Sequence, residues 1–120
     1  MAEGGRVVAA VKDLFFVARI RETARLAGVP LDFARSPEEL GPALAPGGVS
    51  LVLIDLTTAG WDYDALFGAI DGAAARPAVL AFTTHALASR TKPLHARCDR
   101  VVTKETLTQE LGDILRGALR

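Results

Sequence analysis

The strongest constraint on this chain is a set of short apolar runs that do not alternate with polar residues. "RVVAAV" (6–11), "SLVLIDL" (50–56) and "PAVLAFT" (77–83) are apolar on successive positions. Successive side chains of a strand point to opposite faces, so a strand apolar on both must be covered on both. That is the mark of a parallel sheet sandwiched by helices. Two weaker runs complete a set of five. "VPLDFAR" (29–35) has a proline near its start, which suits a sheet edge, and "DRVVT" (99–103) is the last.

Helical patterns fill the gaps. In "LFFVARIRETARLAG" (14–28), Val17, Ile20, Ala24 and Ala27 share one face, and Gly28 is placed to end the helix. "SPEELGPAL" (36–44) predicts a capping box, with Ser36 as N-cap, Pro37 at the first helical position and Glu39 reaching back. Gly41 and Pro42 should interrupt that helix early. "YDALFGAIDGAAA" (63–75) places Leu66, Ala69, Ile70 and Ala73 on one face. Residues 84–98 have helical composition, but Pro93 predicts a short or broken helix. "TLTQELGDILRGALR" (106–120) predicts Thr106 as N-cap with Gln109 as partner. Its apolar stripe is Leu107, Leu111, Ile114, Leu115 and Ala118.

Five strands alternating with five helices predict a doubly wound α/β domain. Right-handed crossovers and this size favour the flavodoxin-like order 2-1-3-4-5, with functional groups at the carboxyl ends of the strands. The 120 residues read as one domain with its core over about 6–119. On this reading the chain ends with its fifth helix and carries no output domain of its own.

Composition excludes several classes. No apolar run approaches the roughly 20 residues needed to span a bilayer, and "MAEGGR" is not a signal sequence. A lone cysteine, Cys98, cannot form an internal disulfide, so a reducing, cytoplasmic location is expected. Net charge is zero, which gives no pointer to nucleic acid. The charges are nevertheless segregated. Residues 36–75 hold six acids and no base, whereas 76–104 hold six bases and one acid. An acidic side and a basic side are expected. A dinucleotide site is excluded because no G-x-G-x-x-G appears, and "KDLFF" after the first strand offers bulk and a carboxylate where a flavin phosphate would need a small-residue loop.

The strand ends carry the chemistry. The first ends in Lys12 and Asp13, the third in Asp55, the fourth in Thr83, Thr84 and His85, and the fifth in Thr103 and Lys104. In this order and over nearly the whole chain, Arg6 to Leu119, the sequence resembles the receiver domains of bacterial response regulators, the CheY-like fold. The resemblance implies a phosphoacceptor position at Asp55 and a switch hydroxyl at Thr83. It also implies a Mg²⁺ site from Asp13, Asp55 and the backbone carbonyl of Thr57. Two positions depart from that pattern. Lys12 stands where the first of two acids is expected, and Thr103 stands where a lysine is expected, with Lys104 one residue late and Glu105 in place of a proline.

Replacing a carboxylate by an ammonium changes local charge by two units. At about 4 Å, opposite unit charges attract by roughly 4 kcal/mol at an effective dielectric of 20. Lys12 is therefore expected to pair with Asp13 and Asp55, leaving no Mg²⁺ or a weak site; alternatively it swings out and the weak site persists. The leading expectation is a degenerate receiver, a signalling interaction module that is not an enzyme and acts independently of phosphate. The alternative is a working regulator phosphorylated on Asp55 by a histidine kinase. Arg90, Lys92, Arg97 and Arg100 lie on the face that receivers commonly use for partners and dimers, so they are candidates to dock an acidic protein or a second copy. His85 reads as a loop or helix-start residue and Cys98 as a small buried hydrophobe. For "LFF" (14–16), packing against Trp61 or Tyr63 stands beside a solvent-facing contact patch.

Overall fold

The structure is a computed structural model that describes residues 5–117. Ala118, the expected end of the last apolar stripe, lies outside the described residues, as does Leu119. Five strands form one parallel sheet: β1 (Arg6–Ala10), β2 (Leu31–Ala34), β3 (Val49–Asp55), β4 (Ala78–Thr83) and β5 (Arg100–Thr103). Their order is β2-β1-β3-β4-β5, as the continuous apolar runs predict. The connecting helices are α1 (Leu14–Ala27), α2 (Pro37–Leu44), α3 (Tyr63–Asp71), α4 (Ala88–His95) and α5 (Lys104–Gly117). A short 3₁₀ turn, His85–Leu87, precedes α4.

The sheet alternates its side chains between two cores. Val7, Ala9, Leu53, Leu80 and Phe82 face α1 and α5, where Ile20, Leu107 and Leu115 are fully buried. Val8, Ala10, Val52, Ile54 and Ala81 face the other way, onto Leu40, Leu66, Phe67 and Ile70 of α2 and α3. Each buried Val, Leu, Ile or Phe among them contributes about 1.5–3 kcal/mol relative to exposure. This double burial is why β1, β3 and β4 read as unbroken apolar runs. Registers Ala10↔Ile54, Asp55↔Phe82 and Thr83↔Thr103 bring the strands' carboxyl ends to one edge.

Several local expectations are corrected. Ser36 sits at the N-cap of α2 but makes no side-chain cap. Glu39 instead accepts from the Arg35 amide at 2.8 Å, so only half of the expected box forms, one residue early. Pro37 does occupy the first turn, and α2 runs on through Gly41 and Pro42 because buried Leu40 and Leu44 anchor it. α3 stops at Asp71, short of the expected Ala75. α5 begins at Lys104, and its cap is Thr103, not Thr106: the Thr103 Oγ1 accepts from the Thr106 amide at 3.1 Å. The segment 84–98 is short and irregular as expected, with Pro93 inside α4 leaving the Ser89 carbonyl without its helical donor.

Candidate functional site

At the carboxyl edge of the sheet, Lys12, Asp13, Asp55, Thr57, Thr58 and Lys104 line one cleft of about 280 Å³. Asp55 ends β3 and is only 2% exposed. A buried carboxylate needs hydrogen bonds, and the next turn supplies them. Thr57 donates to Asp55 Oδ1 twice, from its amide at 2.8 Å and from its hydroxyl at 2.6 Å. The Tyr63 hydroxyl donates to the Asp55 carbonyl at 2.7 Å and accepts from the Thr58 amide at 3.0 Å. Burial pushes the Tyr63 phenol above its ordinary range, so it remains a donor through neutral pH. Tyr63 thus pins the loop between β3 and α3. Trp61 lies beside it, with ring centroids 6.1 Å apart.

Asp13 has a structural task. Its Oδ1 accepts from the Phe15 and Phe16 amides at 2.9 and 3.3 Å and caps α1. The expected ion pair of Lys12 with Asp13 or Asp55 is not formed. Lys12 is exposed, and none of the ion pairs among the described residues includes it. Asp13 and Asp55 are held in place through Oδ1, by the helix amides and by Thr57, while Lys12 is exposed, where an ion pair gains little over hydration. Lys104 is the second ammonium on the cleft wall. Its Nζ lies 5.1 Å from the Phe16 ring centroid, a cation–π contact that holds it near the mouth.

The other two sequence candidates turn away. Thr83 is buried, and its Oγ1 is 3.1 Å from Thr91 Oγ1 on α4; it is not among the cleft-lining residues. Thr103 is used as the α5 cap and also donates to Thr106 Oγ1 at 3.1 Å. Sequence reasoning missed Tyr63 as the loop pin and Thr91 as the partner of Thr83. The Thr91/His95 spacing of four on a helix was a legible signal for a side-chain pair.

These residues do not fit a tight Mg²⁺ site. Mg²⁺ demands near-ideal octahedral oxygen coordination and is reluctant to shed water. Here two carboxylates each have an oxygen committed elsewhere, and two ammonium groups share the walls. No group of three or more His, Cys, Asp or Glu suited to a metal occurs among the described residues.

The basic surface is also rewritten by the fold. Arg97 pairs with Asp64 and Asp71 at 3.5 and 3.0 Å and stacks over Phe67. Arg100 pairs with Glu110 at 3.2 Å. Part of the expected acidic and basic contrast is therefore neutralised where Arg97, in the turn between α4 and β5, meets α3; among the described residues Arg90 and Lys92 are the exposed members of the candidate set with no ion pair. The "LFF" stretch does not pack on Trp61 or Tyr63. Phe16 stacks on Phe82 with centroids 5.4 Å apart, whereas Leu14 and Phe15 are 70% and 72% exposed. Cys98 is half-buried, and burial pushes its thiol up to about 11, so it behaves as a small hydrophobe.

No protein-family model matches the sequence, and no curated protein matches it. Solved structures do match. The receiver domain of a sensor histidine kinase from Pseudomonas aeruginosa, solved with a magnesium ion in its active-site cleft, superposes with a TM-score of 0.78. It is 17% identical over 97% of this chain and 98% of that one. A response regulator receiver domain protein from Clostridium thermocellum gives 0.75, at 14% identity over 96% and 94% of the two chains. The receiver domain of a Saccharomyces cerevisiae response regulator, crystallised with a histidine phosphotransfer protein, gives 0.71 at 16% identity over 96% and 88%. With the 2-1-3-4-5 sheet, these likenesses establish the architecture: this chain has the fold of a response-regulator receiver domain.

Proposed function

We propose that the protein is a cytoplasmic signalling module, not an enzyme, that acts by binding a protein partner and does not depend on phosphorylation of Asp55. One observation carries this reading: the cleft sets Lys12 and Lys104 against Asp13 and Asp55, and Asp13 already caps α1. Phosphoryl transfer rests on positioning and on neutralising charge through a metal. A lysine where the resemblance implies an acid removes a metal ligand and adds a cation. What remains is a stable edge of the sheet from which surfaces can be presented. Two are available. Leu14 and Phe15 expose apolar side chains in the first turn of α1, and Arg90 and Lys92, without an ion pair among the described residues, offer α4 to an acidic partner.

A second reading has its own support. Asp55 and Lys104 line the same cleft, and the similar Pseudomonas aeruginosa domain holds magnesium in its own. On that reading Asp55 accepts phosphate from a histidine kinase or a phosphotransfer protein, such as the partner seen with the yeast receiver.

The two readings separate in one titration. Mg²⁺, then Mg²⁺ with beryllofluoride, is added while the fluorescence of Trp61, the sole tryptophan, is followed. A flat trace in folded protein supports phosphate-independent action. A saturable change that disappears in Asp55→Asn overturns it. Lys12→Asp restores the missing carboxylate and should raise Mg²⁺ affinity by about tenfold or more, or 1.4 kcal/mol. No gain would mean that Lys12 is not what closes the site.

A further inference from the structure

α4 is attached to the domain in an unusual way. Its one fully buried residue is Thr91, 6% exposed, and it is polar. Leu94 is only partly buried against the core. The helix starts from a 3₁₀ turn and contains Pro93, so its own backbone ladder is incomplete. What ties it to the sheet is a chain of side-chain hydrogen bonds. Thr83 Oγ1 at the end of β4 is 3.1 Å from Thr91 Oγ1, which is 2.8 Å from His95 Nε2. Thr91 Oγ1 is also 3.2 Å from the Ala88 carbonyl. The chain runs from a fully buried strand end to a half-buried imidazole.

A threonine hydroxyl has one hydrogen to donate. The state of the imidazole therefore decides where the Thr91 hydrogen can go. With a neutral ring that accepts at Nε2, Thr91 donates to His95 and must accept from Thr83. With an imidazolium, Nε2 donates to Thr91. The Thr91 hydrogen then turns either to Thr83, which must accept it and so reverses, or to the Ala88 carbonyl, in which case Thr91 accepts from both His95 and Thr83.

We propose that Thr83, Thr91 and His95 form a proton-set latch, in which the protonation state of His95 redirects the Thr91 hydrogen and thereby alters the hydrogen bonding of Thr83 at the buried end of β4 and the seating of α4. An imidazole is the usual side chain for a proton-set switch. The groups around it are few. α4 packs on β4, which carries no titratable residue, and on the 3₁₀ turn, which carries His85. The loop after β3 brings Tyr63 toward Leu94. α4 itself carries Arg90 and Lys92, and the following segment carries Arg97, Cys98 and Asp99. Arg97 is held by Asp64 and Asp71 on α3. His85 is the one other imidazole, so it is replaced by Gln in every protein of the test.

The experiment is a backbone and imidazole NMR titration from pH 5 to 8 on the full chain carrying His85→Gln. The Thr83, Thr84 and Thr91 amides are expected to shift with the midpoint of the His95 ring. Those shifts should vanish in His95→Gln, and Thr91→Ser should keep them because it keeps the hydroxyl. Thr91→Val should uncouple the Thr83 amide from the ring and reduce hydrogen-exchange protection in α4 by about tenfold, the effect of losing a buried hydrogen bond. If Thr91→Val does not fold, the Ser and Gln variants decide alone. Shifts at Thr83 that persist with the same midpoint in His95→Gln would overturn the latch. So would a ring that titrates while Thr83 and Thr91 stay still, or loss of the coupling in Thr91→Ser.

Discussion

Two helices that lead away from the carboxyl edge of the sheet are held in opposite ways. α1 buries Phe16, Val17, Ile20 and Ala24, has its cap in Asp13, and ends on Gly28 in the left-handed conformation that glycine tolerates. α4 buries Thr91 alone, has no side-chain cap, and carries a proline. Burial of apolar surface is non-directional and insensitive to protonation. A hydroxyl chain is directional and can be reversed by one proton. α1 is therefore seated by apolar burial, and α4 mainly by side-chain hydrogen bonds.

The largest test of this contrast is Ile20→Ala, which should cost about 2–5 kcal/mol in global stability by chemical denaturation, because it empties a fully buried site. Leu94→Ala on α4 should cost clearly less, and hydrogen exchange should show the loss confined to α4. Equal global losses would erase the distinction between the helices. Asp13→Ala should cost about 1 kcal/mol through its cap, read from the denaturation midpoint. A null result there would show that Asp13 is free for other work and would reopen the metal question. The smallest expected effect is Arg25→Ala, which breaks an exposed pair with Glu22 one turn away and should leave the denaturation midpoint almost unmoved.

A pH series separates the buried thiol from the latch. Cys98 titrates at about 11 when folded, against an ordinary thiol value of 9.0, because burial disfavours the thiolate. The folded state therefore holds its proton more tightly than the unfolded state. That contribution to stability is full below pH 9 and is lost as pH rises from there through about 11. Cys98→Ala should flatten the alkaline limb of the stability curve. In the unsubstituted folded protein, Cys98 should alkylate slowly at pH 8, because burial keeps its thiol protonated.

The site was legible in unequal parts. Asp55 could be placed from sequence because an apolar run stops on it, and a parallel sheet sends such ends to one edge. The roles of Thr83 and Thr103 could not. Both are strand-ending threonines, and the sequence does not say whether each hydroxyl turns to the cleft or to a neighbouring helix. Thr83 met Thr91, eight residues on, and Thr103 met the first turn of α5. Charge segregation along the chain was equally real and equally misleading. Arg97 lies far from Asp64 and Asp71 in sequence but pairs with both in space, so a basic stretch became a neutral seam.

What the sequence by itself determined is the layering. Continuous apolar strands and one-sided helices have few ways to bury themselves, and right-handed crossovers leave the 2-1-3-4-5 sheet. What only the tertiary structure decided is the partner of each polar group at the sheet's edge. Burial depends on the residue's own pattern, which is local and written in the chain. A hydrogen bond or an ion pair depends on distances of about 3 Å between atoms from different elements, and those exist only once the layers have packed.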